Sequence, residues 1–337
     1  RPPRSTLFPY TTLFRSPEPA LASPVAPSLS PEPAAPYEPV ISEPQPAPAR
    51  TVDEIDALAE RLVASGPAAH KVTVLGPATG ESVTLTALTL ARLMARQAKV
   101  VVVDLDHAAA EKVAASVGGA AFKCDVGQEK NVLHVIEETE RMFGPIALFC
   151  SNAGIGGGFD PLSKNAGGTS DEPWSRSWAI HVMAHVYAAR HLVPRMKARG
   201  EGYFLNTISA AGLLSQVGSP AYSTTKHAAV GFAENLAISH RADNIKVSIL
   251  CPQGVDTNML RSIPKGPQSG DGDLTAEQVA QDALRGIEQE TFLILPHPQV
   301  LGYMRKKTEN YDRWIGGMAK IQAKMREEFG KIGRAHV

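Results

Sequence analysis

Tyr222 and Lys226 stand four residues apart in "YSTTK", a spacing that stacks two side chains on one face of a helix. A phenol ordinarily titrates near pH ~10, roughly three units too high for a base at neutral pH. A lysine ammonium held beside it favours the phenolate, so Lys226 is expected to bring Tyr222 toward the range in which it both gives and takes a proton. Ser209 lies thirteen residues before Tyr222, just past "YFLNTI". Its hydroxyl can donate to an oxygen on which negative charge gathers. These groups move protons. None of them carries a hydride, so redox chemistry on this constellation requires a cofactor.

The elements that must position these residues follow from alternation of pattern. "KVTVLG" reads as a strand, "SVTLTALTLARLMARQA" as a helix and "KVVVVDLD" as a buried strand. That order is a βαβ unit, and the unbroken apolar run of its second strand argues for a parallel sheet covered on both faces. The pattern repeats with helix 107–116, strand 120–124, helix 129–142, strand 146–150, a long helix at 174–198, strand 203–207, helix 221–240, strand 245–250, helix 275–289 and strand 291–295. The spacing predicts an α/β domain with a doubly wound, seven-stranded parallel sheet of Rossmann-like type. Ligands of such sheets bind beyond the carboxyl ends of the strands. Asn152 and Gly154 in "SNAG", Ser209 and "CPQGVDT" all fall at such ends. The tail 299–330 reads as helical.

Bulk properties narrow the function classes. The 337 residues carry 34 basic and 34 acidic side chains, so no whole-chain field draws the protein toward nucleic acid or an anionic membrane. No run of 18 apolar residues is present, and no membrane span is expected. Cys124, Cys150 and Cys251 are far apart, which fits neither a disulfide framework nor a metal cluster, and they read as small buried residues in a reducing, cytoplasmic setting. Residues 1–16 resemble a translated adaptor, and 17–50 are rich in proline. Residues 1–50 are therefore expected to be a disordered extension. Thr51 and Glu54 form a capping box for a short amphipathic helix at 51–66, leaving 67–337 as the domain proper.

With Asn152-Ala153-Gly154 at a strand end, Ser209, and Tyr222 with Lys226 at these spacings, the chain resembles the short-chain dehydrogenase/reductase family. The resemblance implies an oxidoreductase that moves a hydride between NAD(H) and a secondary alcohol or ketone. In that reading Tyr222 is the acid/base, Lys226 tunes it and holds ribose, Ser209 polarises the carbonyl and Asn152 supports the local backbone. His181 falls where the family has a relay Asn. Asp104, ending the second strand, is placed to bind the adenosine ribose and to repel a 2'-phosphate, which favours NAD over NADP. Asp125 and Val126 match the adenine-contacting pair. Pro252, Val255 and Thr257 match the nicotinamide segment, and 258–274 the substrate loop. In the fingerprint "LGPATGES", Gly76 and Gly80 align, while Leu75 stands for Thr and Ser82 for the third Gly. A Cβ at position 82 crowds the phosphates, so a non-catalytic Rossmann-like binding domain is the alternative reading.

The stretch 17–104 also resembles a degenerate nucleotide-binding segment of bacterial polysaccharide-export tyrosine kinases, with Ser82-Val83-Thr84 in place of the phosphate-binding Gly-Lys-Ser/Thr. By resemblance the protein is a homodimer or homotetramer, built through the helices at 174–198 and 221–240. No metal is implied, because His181 and His185 lack a third ligand in sequence.

Overall fold

The computed structural model describes residues 71–75 and 99–335, apart from 157, 164, 262–265, 267 and 268. The extension 1–50, the helix expected at 51–66, the helix expected at 82–98 and the fingerprint residues Gly76, Gly80 and Ser82 lie outside the described residues.

The chain begins with β1 (Lys71–Leu75) and β2 (Lys99–Asp104), followed by α1 (His107–Val117), β3 (Ala120–Lys123), α2 (Glu129–Phe143) and β4 (Leu148–Ser151). The helix expected over 174–198 is two helices, α3 (Asp171–Trp178) and α4 (Ala184–Arg199), fused through a π-helical turn at Ala179–Met183. Then come β5 (Gly202–Thr207), the short α5 (Ala211–Leu214), α6 (Pro220–His240) and β6 (Ile245–Leu250). The short α7 (Asn258–Arg261), α8 (Ala276–Glu288), β7 (Leu293–Ile294), α9 (Gln299–Glu309) and α10 (Tyr311–Ala335) complete it. Sequence periodicity missed α5 and α7, because one helical turn is too short to show a period.

Among the described residues the strands run in the order β3-β2-β1-β4-β5-β6-β7, and every pairing is parallel. From β3 the chain crosses to the far side of β1 to lay down β4, so the order reverses between β1 and β4. That reversal opens a crevice at the strand ends, the usual ligand position in an open α/β sheet. The apolar residues of β2 divide between the two faces: Val101 and Val103 join one core and Val100 and Val102 the other. On the first face, Val132, Val135 and Ile136 of α2 pack with residues of α4 and α6. Phe149 of β4 meets Phe204 of β5 edge to face there, with centroids 6.4 Å apart. On the second face Val279, Ala283 and Leu284 of α8 cover the sheet. Thr275 caps α8 through a capping box with Gln278, which satisfies backbone donors at the helix start. The three cysteines are free and buried. Among the described residues no helix is long and apolar enough to cross a membrane.

Candidate active site

A cleft of about 1040 Å³ opens at the carboxyl ends of β4, β5 and β6. Each strand delivers its contribution by the turn that follows it. Asn152 and Gly154, both buried, leave β4. Ser209 follows β5, and its position is tied to the next strand end: Ile208 N–H donates to the Leu250 carbonyl at 2.8 Å and Ala210 N–H to the Pro252 carbonyl at 2.8 Å. Tyr222 and Lys226 come from the first turns of α6, one above the other as their spacing dictates. α5 packs closely on that part of α6, and Gly212 permits it, since a Cβ there would lie 2.7 Å from the Lys226 carbonyl oxygen.

The hydroxyl of Ser209 lies near the phenol of Tyr222 and accepts from Ala211 N–H at 3.0 Å. Lys226 Nζ lies 5.6 Å from the centre of the Tyr222 ring, over the face of the ring. The ammonium is buried and donates to the Thr207 carbonyl over a long 3.5 Å. The proton-transfer energetics differ from the sequence expectation in one respect. Burial pushes the Tyr222 phenol above its ordinary value, and the neighbouring Ser209 hydroxyl opposes that shift. Lys226 does not reverse it, because the ammonium faces the ring and burial pushes its own pKa down to about 8.

His181 sits in the π-helical turn, a feature often found at functional sites because its extra residue re-aims side chains. Its ring is fully buried and packs edge-on against Tyr222, with centroids 5.3 Å apart. Ile155 N–H donates to His181 Nε2 at 3.0 Å. The Thr225 hydroxyl donates to the Ala221 carbonyl at 2.8 Å, so its oxygen accepts from His181 Nδ1–H at 2.9 Å. Both nitrogens are thereby used, and the imidazole is held neutral: burial first, then the Lys226 charge, drives its pKa well down. His181 fastens the turn after β4 to α6 and thus fixes Asn152 and Gly154 relative to Tyr222. His181→Ala leaves the part-buried Ile155 N–H without its acceptor, so unfolding in urea should show a loss of about 1 kcal/mol. His185, one turn on, is also buried and has no hydrogen-bond partner among the described residues. Burial holds it neutral, with its pKa down to about 3.

The other predicted residues fall around this centre. Asp104 ends β2, is buried, and accepts from Asp106 N–H at 2.9 Å. Burial raises its carboxyl to about 6. Asp125 accepts from Gly127 N–H at 2.9 Å and borders a second cleft of about 380 Å³ that also touches Leu105, while Val126 is buried beside it. Pro252, Val255 and Thr257 line the large cleft. Val255 bridges to Leu274, and the Thr257 hydroxyl donates to the Val255 carbonyl at 3.1 Å.

Sequence reasoning missed several contributors. His297, nearly buried, receives Gln253 N–H on Nδ1 at 3.2 Å and donates from Nε2 to the Gly272 carbonyl at 3.2 Å. It holds the segment after β6 against the segment after α7. Thr225, the partner of His181, carried no signal beyond its place on the helix. α10 also lines the cleft through Trp314, Met318 and Ile321, a stripe that helical periodicity in the tail could have revealed.

Comparison with known proteins agrees with this geometry. The short chain dehydrogenase family profile matches residues 77–268. The match takes in the stretch 77–104, for which resemblance to an export kinase was also expected, and nothing found supports that second resemblance. The 1-deoxy-11-beta-hydroxypentalenate dehydrogenase of Streptomyces exfoliatus is 31% identical over 250 residues, covering 72% of this chain and 88% of that one. The inactive 2-(S)-hydroxypropyl-CoM dehydrogenase 2 of Xanthobacter autotrophicus is 33% identical over 187 residues, covering 55% and 78%. Among solved structures, a short chain dehydrogenase/reductase from Burkholderia phymatum in complex with NAD superimposes with a TM-score of 0.60 at 26% identity, covering 72% of this chain and 94% of that one. A 3-ketoacyl-(acyl-carrier-protein) reductase from Brucella melitensis complexed with NADH gives 0.60 at 25% identity, covering 67% and 96%. Fold, strand-end residues and sequence match together place this chain in the short-chain dehydrogenase family.

Proposed function

We propose that residues 67–337 form an NAD(H)-dependent oxidoreductase domain acting on a secondary alcohol or ketone, with Tyr222, Lys226 and Ser209 as its proton-handling groups. The observation that carries this reading is the convergence in one cleft of the Ser209 hydroxyl, the Tyr222 phenol and the buried Lys226 ammonium. A nicotinamide dinucleotide fits the donor set there. Lys226 uses one long hydrogen bond within the described residues, which leaves N–H groups for ribose hydroxyls. Asp104 offers a carboxylate at the end of β2, where the adenosine ribose of a dinucleotide lies in this fold. When bound, the cofactor supplies or takes the hydride.

The chain's own residues do the rest. Ser209 and Tyr222 donate to a carbonyl oxygen, polarising it and stabilising the charge that develops on it. Tyr222 gives its proton to that oxygen during reduction and takes it back during oxidation. A phenol that burial holds protonated favours the donating direction at neutral pH, so ketone reduction is the direction assigned here. Lys226 supports the phenolate left behind, since its positive charge lies over that ring. His181 and Asn152 keep the β4 turn in register with α6. The relatives with NAD and NADH in their structures support this cofactor class.

The test is titration of the chain with NADH and NADPH by nicotinamide fluorescence, followed by ketone reduction at 340 nm. Saturable NADH binding with turnover supports the reading; a folded sample that binds neither dinucleotide sinks it. Asp104→Asn is expected to weaken NADH binding about tenfold, the order of one hydrogen bond to a charged acceptor, and to narrow the gap to NADPH. Because the Asp104 carboxyl is raised to about 6, the NADH preference should fade as the pH falls through that value. One observation favours the second reading, a non-catalytic binding domain: His181 has no free nitrogen to pass a proton. Binding of NADH without turnover of any alcohol or ketone would select it. A homo-oligomer is proposed through α3, α4 and α6, where Trp178 and Ile238 are exposed apolar residues.

A further inference from the structure

We propose that the substrate is a bulky, uncharged, largely apolar ketone or alcohol carried against one face of α10, an inference that rests on the oxidoreductase reading. Trp314, Gly317, Met318 and Ile321 fall at i, i+3, i+4 and i+7 on α10, and all line the cleft that holds Ser209 and Tyr222. Met259 and Leu260 of α7 line it as well. Ile321 keeps 38% of its surface exposed, so the wall presents apolar area left open among the described residues. The volume of about 1040 Å³ stands at the upper end for small-molecule sites; the nicotinamide takes the part beside Lys226, Pro252 and Thr257, and a small ketone leaves the α10 wall wet.

α10 is anchored rather than loosely draped. Trp314 packs on the apolar cluster of Ala210, Leu214 and Val300. Farther along, Met325 is buried, and Arg326 donates to the Ser163 carbonyl. Between these anchors lies Gly317, where a Cβ would meet nothing within 4 Å. Neither a close contact nor a left-handed backbone requires glycine there, although glycine disfavours a helix interior. Its effect is a gap in an apolar wall. Charge selects no ionic substrate: among the described residues, apart from Lys226, the cleft is lined by two cations, Lys306 and Arg313, and two carboxylates, Asp271 and Glu309.

Each CH₂ removed from water contributes a factor of roughly four in binding. The test compares NADH-dependent reduction of 2-decalone and cyclohexanone by the full chain, by Gly317→Phe and by Gly317→Ala. The native chain is expected to favour 2-decalone by about tenfold or more in kcat/KM. Gly317→Phe, which fills the gap, should reduce that ratio about tenfold without lowering the melting temperature. Gly317→Ala stiffens the helix equally but leaves most of the gap, and should keep the ratio within about twofold. Equal kcat/KM for both ketones in the native chain, or a ratio untouched by Gly317→Phe, overturns the inference. If neither ketone is turned over, calorimetric titration with 2-decalone decides the cleft's preference independently of the oxidoreductase reading. Binding weakened about tenfold by Gly317→Phe supports the apolar site, and no binding, or binding insensitive to the change, overturns it.

Discussion

Tyr222→Phe is expected to lower kcat/KM for ketone reduction by roughly 10²–10⁴-fold, the usual contribution of a positioned general acid. A loss of about a thousandfold corresponds to about 4 kcal/mol of transition-state stabilisation. The ring itself stays where it is. Phenylalanine retains the edge-on contact with His181 and the ring face under Lys226 Nζ. Ser209 keeps its contact with Ala211 N–H. Thermal unfolding and NADH affinity should therefore stay close to the native values while turnover collapses. The measurement is a pair: steady-state reduction at saturating NADH, and a melting curve on the same preparation. Activity within tenfold of native removes Tyr222 from the acid/base role.

Lys226→Met is expected to stabilise the ligand-free protein by about 2–3 kcal/mol at pH 7 while abolishing turnover. The reason is the cost of holding an ammonium in the interior. Lys226 is buried and its pKa is pushed down to about 8 from an ordinary 10.5. Between those values the unfolded chain binds more protons than the folded one, so stability rises with pH across that window. Below about pH 8 both states are protonated and the full penalty is present. A shift of this size is worth about 3 kcal/mol, less the weak bond to the Thr207 carbonyl. The groups facing Lys226 do not confuse the measurement. His181 and His185 are already neutral, Cys251 is raised to about 12, and Tyr222 is raised above its ordinary value. Urea unfolding of both proteins at pH 7 and pH 10 should show a difference that shrinks at the higher pH. A variant less stable than native at pH 7 contradicts the account. Stability given up at a functional group in this way is a common feature of active sites.

Local pattern determined a large part of this protein. The alternation of strand and helix and the unbroken apolar run of β2 depend on neighbours within one or two turns, so sequence carried them. The stacking of Tyr222 over Lys226 follows from helical geometry alone. The positions of Asn152, Ser209 and Pro252 at strand ends follow from where the apolar runs stop. The observed boundaries differ by a few residues: β4 is Leu148–Ser151 against an expected 146–150, and β7 shrinks to Leu293–Ile294 from 291–295.

Tertiary structure alone decided the rest, because the deciding partners are distant in sequence. His181 makes its two hydrogen bonds with residues 26 and 44 positions away, and the π-helical turn that aims it leaves no mark on a 3.6-residue period. His297 reaches Gln253 across 44 positions and Gly272 across 25. The charge behaviour of the centre was likewise invisible in sequence. Adjacency on a helix suggested that Lys226 would lower the Tyr222 pKa, but the direction depends on desolvation and on the ammonium facing the ring. The apolar stripe of α10 is a local pattern, yet its place along the candidate cleft is set by Trp314 docking beside α5 and by Arg326 reaching Ser163. Short-range periodicity states which face of a helix is apolar; only packing states what that face encloses.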